Sequence, residues 1–281
     1  MDDFTVGRTL VLAPGVRRVV APNGGPLTGP GTNSYVLGNG RRVVLDPGPA
    51  DPAHLERLAG ACEGRCEFIM VSHTHPDHSP GAAPLAAALG VPLVGLPPPE
   101  TGPQDRSFRP ERVPADGEVF AFDGFELVAV HTPGHASNHV CWLLRPLDWL
   151  FTGDHLMGGS TVVIAPPDGN MNAYLASLQR LKSLPIARLA PGHGPVLEDP
   201  VAVVDAVIAH RLRREARVVD ALAAAAQPAT ADDLVARVYA DTPVALHPLA
   251  RLSLQAHLEK LVEDGRAVST AEGRYRLRQA G

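Results

Sequence analysis

His73-Thr74-His75-Pro76-Asp77-His78 packs three imidazoles and one carboxylate into six residues. With 12 histidines in 281 residues, that order arises by chance roughly once in a thousand such chains, so the segment is read as functional. Imidazole and carboxylate are ligands for zinc, in tetrahedral or five-coordinate sites. Residues two apart on an extended stretch project to the same side, so His73 and His75 can share one ion. Pro76 suits a loop and not a helix interior. Where that loop turns, Asp77 and His78 can reach a second ion.

Each ion needs further ligands from distant sequence. Three segments offer them: Thr132-Pro133-Gly134-His135, Phe151-Thr152-Gly153-Asp154 and Pro191-Gly192-His193-Gly194. Each places a His or Asp beside glycine after an apolar run, where a tight turn can aim the side chain into a cleft. Asp154 is the natural bridge, because its two oxygens can each bind one ion.

The surrounding pattern is of short strands and helices. Strands are expected at 41–45, 67–71, 125–130, 140–144 and 149–151, and helices at 52–58, 85–89 and 172–184. That alternation predicts an α/β layered domain over residues 1–205. From about residue 206 the texture changes. Val207 to Ala226 reads as one long helix. Thr230 can cap a second, with Asp232 and Asp233 in its first turn. Pro248 opens a third, whose stripe of Leu249, Leu252, Leu258, Leu261 and Val262 ends at Gly265. Ala267 to Leu277 reads as a hairpin turning at Glu272-Gly273. Three helices and a hairpin are the order of a winged helix-turn-helix, assigned to residues 206–281.

In order, Asp46 after an apolar strand, the 73–78 segment, His135, Asp154 and His193 resemble the motifs of the metallo-β-lactamase superfamily. Gly31-Thr32-Asn33-Ser34-Tyr35, the run His73 to Ser79 with Gly81 after it, and the tail look like the lactamase-beta-like protein 2 group. The likeness spans nearly the whole chain. It implies a four-layer αβ/βα sandwich with a small C-terminal winged-helix domain. It implies one zinc on His73, His75 and His135, and a second on Asp77, His78 and His193. Asp154 and a hydroxide would bridge them, and other divalent metals can fill such a site. Asp46 would hydrogen-bond the metal-binding loop, although an Asp before Pro-Gly is also an ordinary turn residue. The implied enzyme is a metal-dependent hydrolase in which the bridging hydroxide attacks a carbonyl or phosphorus, with Asp77 and Asp154 as the catalytic carboxylates and Asp77 moving a proton.

The best-studied members of that group are single-strand-specific endoribonucleases. Cleavage of single-stranded RNA is therefore the first expectation. Hydrolysis of a small thioester, lactone or other acyl compound, as in glyoxalase II-like relatives, is the alternative. A non-enzymatic winged-helix regulator is the third reading. The same seven ligands serve the first two, so the motifs do not choose between them.

A net charge of −5 gives no general affinity for polyanions. The chain has only Lys182 and Lys260 as lysines, which leans towards a small substrate. Arg274, Arg276 and Arg278 alternate onto one side of a strand and form either a phosphate-contacting stripe or a solvated edge. No apolar run of about 18 residues predicts a membrane span. The acidic start lacks a signal-peptide pattern, and Cys62, Cys66 and Cys141 are too few for a disulfide framework. A cytoplasmic protein is expected, and the tail offers a surface for a homodimer. His131 and His139 are read as orienting groups or buried residues, and His155 as pointing away from the metals. His54, His210, His247 and His257 are read as surface or helix residues, Tyr174 as core, and the 156–171 loop as either a substrate lid or a connector.

Overall fold

Strand burial alternates between two layers. In β3 (Asn33–Leu37) and β4 (Arg42–Leu45), residues Tyr35, Leu37, Val43 and Leu45 enter one core, while Val36 and Val44 enter another. In β9 (Val140–Arg145), Val140, Trp142 and Leu144 enter that first core, and Cys141 and Leu143 face away from it. Strands apolar on both faces must be covered on both faces. The computed structural model, which describes residues 3–159 and 161–278, shows how.

One sheet has the order β1 (Thr9–Ala13), β2 (Val16–Val20), β3, β4, β5 (Cys66–Met70), β6 (Leu93–Val94). The other runs β11 (Arg188–Pro191), β10 (Trp149–Gly153), β9, β8 (Phe125–His131), β7 (Val119–Phe122). The sheets close on each other over Leu45, Met70, Trp142 and Phe151. Helices α1 (Pro52–Cys62) and α2 (Ala82–Leu89) cover the outer face of the first. Helix α3 (Met171–Leu181) and the start of α4 (Pro200–Ala223) cover the second. This is the expected four-layer sandwich.

The pairs β4–β5, β5–β6 and β10–β11 are parallel. Their crossover helices return the chain so that several strands end at one rim. Asp46 follows β4, the 73–78 segment follows β5, His135 follows β8, Asp154 follows β10 and His193 follows β11. The carboxyl ends of parallel strands are where open α/β sheets place their sites.

The tail forms its own core. The second half of α4, α5 (Ala231–Val238), α6 (His247–Glu263) and the hairpin β12 (Ala267–Ser269)–β13 (Tyr275–Leu277) enclose Val218, Leu222, Leu234, Leu254 and Leu258. Thr230 caps α5 in a reciprocal box with Asp233, as its sequence predicts. Helix α4 belongs to both units: Val204 and Ile208 pack on the sandwich, Val218 and Leu222 on the tail. The 205/206 boundary expected from the sequence falls inside this one helix. No helix is long and apolar enough to cross a membrane among the described residues. The three cysteines are free.

Two histidines read as surface or helix residues are fully buried. His54 Nε2 pairs with Ser34 Oγ at 2.9 Å. His257 sits under α4 with neither ring nitrogen hydrogen-bonded. Burial first, then Arg211 and Lys260, hold the His257 imidazole down at about 3. The unfolded chain binds that proton below about pH 6.5 while the folded chain does not until about pH 3. Stability is therefore lost as pH falls through this window. His257→Leu removes the group. Its thermal stability should gain about 2 kcal/mol over the wild type on going from pH 8 to pH 5. Parallel melting curves of the two proteins across that range would refute the assignment.

Candidate metal centre

The backbone that leaves β5 is fixed by one carboxylate. Asp46 Oδ1 accepts the Ser72 N–H at 2.6 Å, and Oδ2 accepts the Ser72 hydroxyl at 2.7 Å. Having given its only proton to Asp46, Ser72 Oγ must accept from His73 Nδ1, 3.0 Å away. His78 Nδ1 donates to Asp46 Oδ2 at 3.1 Å. His135 Nδ1 donates to the Val163 carbonyl at 2.8 Å, and His193 Nδ1 to the Gly31 carbonyl at 3.2 Å. Each of these four rings thus carries a proton on Nδ1 and turns its Nε2 inward, as ligating histidines do.

The inward nitrogens meet. His75 Nδ1 lies 3.0 Å from His73 Nε2 and 3.0 Å from His135 Nε2. Burial, then the neighbouring imidazoles, keep His73 far below its ordinary pKa. The same causes hold His75 at about 3. Three ring nitrogens converging at this distance repel each other unless a cation or proton lies between them.

Beside this trio, Asp77 Oδ2 lies 3.1 Å from His193 Nε2 and 3.5 Å from His78 Nε2. Asp154 turns Oδ1 to His78 and His193, both at 3.3 Å, and Oδ2 to His135 at 3.6 Å. Burial alone would raise both carboxyl groups, but the imidazoles outweigh it and hold both below the usual carboxylate range. The same carboxylates raise His78 and His193 against the opposing effect of burial.

His73, His75 and His135 could hold one ion, and Asp77, His78, Asp154 and His193 another. His78 Nε2 and Asp154 Oδ1 are buried without a hydrogen bond, as atoms reserved for a cation would be. The sequence-predicted residues are therefore all brought together, with Asp154 offering one oxygen to each group.

Two glycines make room. A side chain at Gly192 would meet His78 Cε1 at 2.7 Å and Asp154 Oδ1 at 3.0 Å. One at Gly153, where φ is +46°, would meet Ser72 Oγ at 2.4 Å. Sequence reasoning left the role of His139 open and did not single out Ser72. The buried His139 accepts the Asp154 N–H on Nε2 at 3.2 Å and faces Thr132 Oγ1 at 2.9 Å, so it aims the Asp154 turn. His131 points elsewhere, to the Pro114 carbonyl at 3.0 Å. The His155 ring is buried against Tyr174 with neither nitrogen hydrogen-bonded, the Tyr174 hydroxyl donates to the His155 carbonyl at 2.9 Å, and Tyr174 is core, as expected.

A cavity of about 570 Å³ opens on His75, Asp77, His135 and Asp154. Met157, Val162, Leu249 and Leu252 form apolar walls, and His210, Arg211 and Arg214 of α4 also line it. The 156–171 loop supplies one wall and is tied down: Ile164 N–H donates to Ser253 Oγ at 3.2 Å, and Asp168 accepts from Gln104 at 3.1 Å. Arg274, Arg276 and Arg278 are exposed and do not line the cavity.

The Metallo-beta-lactamase superfamily model matches residues 27–193, and the Beta-lactamase associated winged helix domain matches residues 230–275. The chain is similar to the Beta-lactamase-like protein 2 homolog of Caenorhabditis elegans, 31% identical over 263 residues, which cover 90% of this chain and 86% of the relative. It is similar to an atrochrysone carboxyl ACP thioesterase of Aspergillus novofumigatus, 28% identical over 276 residues, covering 90% and 80%. Its fold is that of a metallo-beta-lactamase family protein from Thermus thermophilus, with a TM-score of 0.77 at 23% identity, covering 95% of this chain and 100% of the other. The superfamily, sandwich and winged-helix tail implied by the motifs are those found.

Replacing Asp46 by Asn tests the geometry. Asn tolerates the left-handed backbone at this position, where φ is 51°, but it accepts hydrogen bonds on one atom only. Chelator competition should show metal affinity weakened about 10- to 100-fold. Unchanged affinity would show that Asp46 is only a turn residue.

Proposed function

Because this chain belongs to the metallo-beta-lactamase superfamily, a family of hydrolases, we propose that it is a dinuclear zinc enzyme cleaving an ester or thioester of an apolar acyl group. The observation that carries this reading is the continuity of the cavity from the His/Asp clusters to an apolar wall built by α6 and by Met157, Val162 and Ala165. His73, His75 and His135 would hold one zinc, and Asp77, His78 and His193 the other, with Asp154 between them. When bound, the ions acidify water and polarise a carbonyl oxygen.

The residues do the rest. Asp154 holds the two clusters in register through its separate oxygens. Asp77, a quarter exposed at the cavity wall, takes the proton of the attacking water. The water oxygen bonds to the acyl carbon, the carbon–sulfur or carbon–oxygen bond breaks, and the leaving group takes that proton. The products are a free acid and a thiol or alcohol. Val162, Leu249 and Leu252 hold the acyl chain and exclude water, which strengthens the charges on the reacting atoms. The similarity to a protein named as an ACP thioesterase supports the same chemistry.

RNA cleavage, implied by the resemblance, draws less support. Single strands are held by stacking aromatics and by cations along the backbone. Among the lining residues Tyr239 is the one aromatic besides histidines, and Arg214 is engaged by Asp241 at 2.8 Å. Three free thiols fit the cytoplasmic location that we also propose.

The test compares acetyl and octanoyl thioesters with labelled single-stranded RNA on zinc-loaded protein. Thioester turnover should disappear on chelation, return with zinc, and fall at least about 100-fold in Asp154→Ala. Ala250→Leu, which narrows the α6 wall, should slow the octanoyl substrate on the order of tenfold more than the acetyl one. Cleavage of RNA that Asp154→Ala abolishes, with both thioesters untouched, would overturn the reading.

Asp77→Asn probes the proton step separately. With metal content retained, kcat should fall on the order of 100-fold or more. Unchanged turnover would remove Asp77 from proton transfer.

A further inference from the structure

Arg211 is 2% exposed yet lines the cavity. Its Nη2 donates to the Val162 carbonyl, and its guanidinium lies 5.4 Å from the centre of the Tyr174 ring. Its Nε is buried without a hydrogen bond. No carboxylate pairs with it among the described residues, because the nearby acids are taken. Glu215, one turn along α4, holds Lys260 at 2.9 Å and Arg266. Asp241 holds Arg214 at 2.8 Å and Arg217. Asp264 holds Lys260 at 2.6 Å. The Tyr174 hydroxyl, His210 and His257 lie beside Arg211, with Arg214 and Lys260 in the same cluster, and none of them is a carboxylate. His210 also lines the cavity, and its Nδ1 is buried without a partner.

A buried guanidinium without a counter-charge is costly unless something supplies one. The cavity is the open direction from which it can come. We propose that Arg211, with His210 beside it, is an anion subsite that takes a carboxylate borne on the acyl group, away from the bond that breaks. This rests on the acyl-hydrolase reading and narrows it: the substrate class is the half-ester or half-thioester of a dicarboxylic acid, and water converts it to the diacid and a free thiol or alcohol.

The placement suits such a chain. Val162 gives its carbonyl to Arg211, and the next residue, Val163, gives its carbonyl to the ring of His135 at 2.8 Å. Two consecutive residues therefore link the subsite to the His/Asp clusters. A carbon chain lying along these residues has apolar walls between two polar ends. The planar fork of arginine matches a carboxylate, and those walls favour a carbon chain over a phosphate-rich ligand.

Calorimetry on the zinc-loaded full chain decides the matter, with adipate, suberate and sebacate set against octanoate. At least one diacid should bind ten times or more tighter than octanoate. Arg211→Met should erase that advantage while leaving metal content and octanoate affinity unchanged, and Arg211→Lys should keep part of it. Equal binding of diacids and octanoate by the wild type overturns the proposal without any variant being needed. So does a diacid preference that survives in Arg211→Met. Inorganic phosphate that binds through Arg211 where the diacids gain nothing would reassign the subsite to phosphate. A diacid preference in a protein that hydrolyses no thioester would instead sink the acyl-hydrolase reading and the substrate class with it.

Discussion

The site depends on one buried carboxylate. Asp46 accepts the Ser72 amide, the Ser72 hydroxyl and the His78 imidazole, and it does so from a left-handed backbone conformation with φ of 51°. Those three bonds tie the end of β4 to the end of β5 and set the tautomers of His73 and His78. Without them two inward nitrogens would be free to carry protons, and a protonated imidazole is no ligand. The repulsion among the inward-facing donor atoms is tolerable only because each ring and carboxylate is held from behind. Val163 and Gly31 do for His135 and His193 what Asp46 does for His78.

Much of this was legible in the sequence because ligand chemistry is local. His73, His75, Asp77 and His78 are diagnostic as a string, and glycine beside His135, Asp154 and His193 marks turns where backbones must approach closely. The sandwich was legible where strands are continuous apolar runs, as in β4, β9 and β10. It was not legible at β1, β2, β3, β6, β7 and β11. β6 has two residues, and β1 and β7 expose one or more of their apolar residues, so their patterns are weak. The β7–β8 hairpin carries a local signal in its sequence: Asp123-Gly124 at its turn, with Gly124 at φ +84°. His139 and Ser72 could not be assigned from sequence, since each acts through a contact that exists only after folding. His54 and His257 misled for the same reason: a polar residue on a helix reads as exposed until a second layer covers it.

The tail is the element whose sequence says least about its use. In a helix-turn-helix protein the recognition helix offers its outer face to a DNA groove. Here the third helix, α6, turns that face to the sandwich. Ser253 accepts from Ile164, Ala256 enters the core beneath α3, and Glu263 accepts from Asn170 and Asn172 at 2.9 and 2.7 Å. On this face α6 packs against the sandwich and closes the cavity beside the His/Asp clusters.

That arrangement explains why the motifs identify the reaction type and not the substrate. The ligands sit on strand ends that the sandwich fixes, so any chain with this fold can present them. The walls come from elsewhere: Leu249, Ala250 and Leu252 from α6, Met157, Val162 and Ala165 from the β10–α3 connection, and Arg211 from α4. Changing a lining residue on α6 reshapes what the cavity admits, because that helix carries none of the seven candidate ligands. Helix α4 carries none of them either, and it packs on both cores. It holds the tail in place against the sandwich at Val204 and Ile208 and presents Arg211 one turn further on, so the distance from the metal cluster to that buried guanidinium is set by a rigid rod and not by a loop.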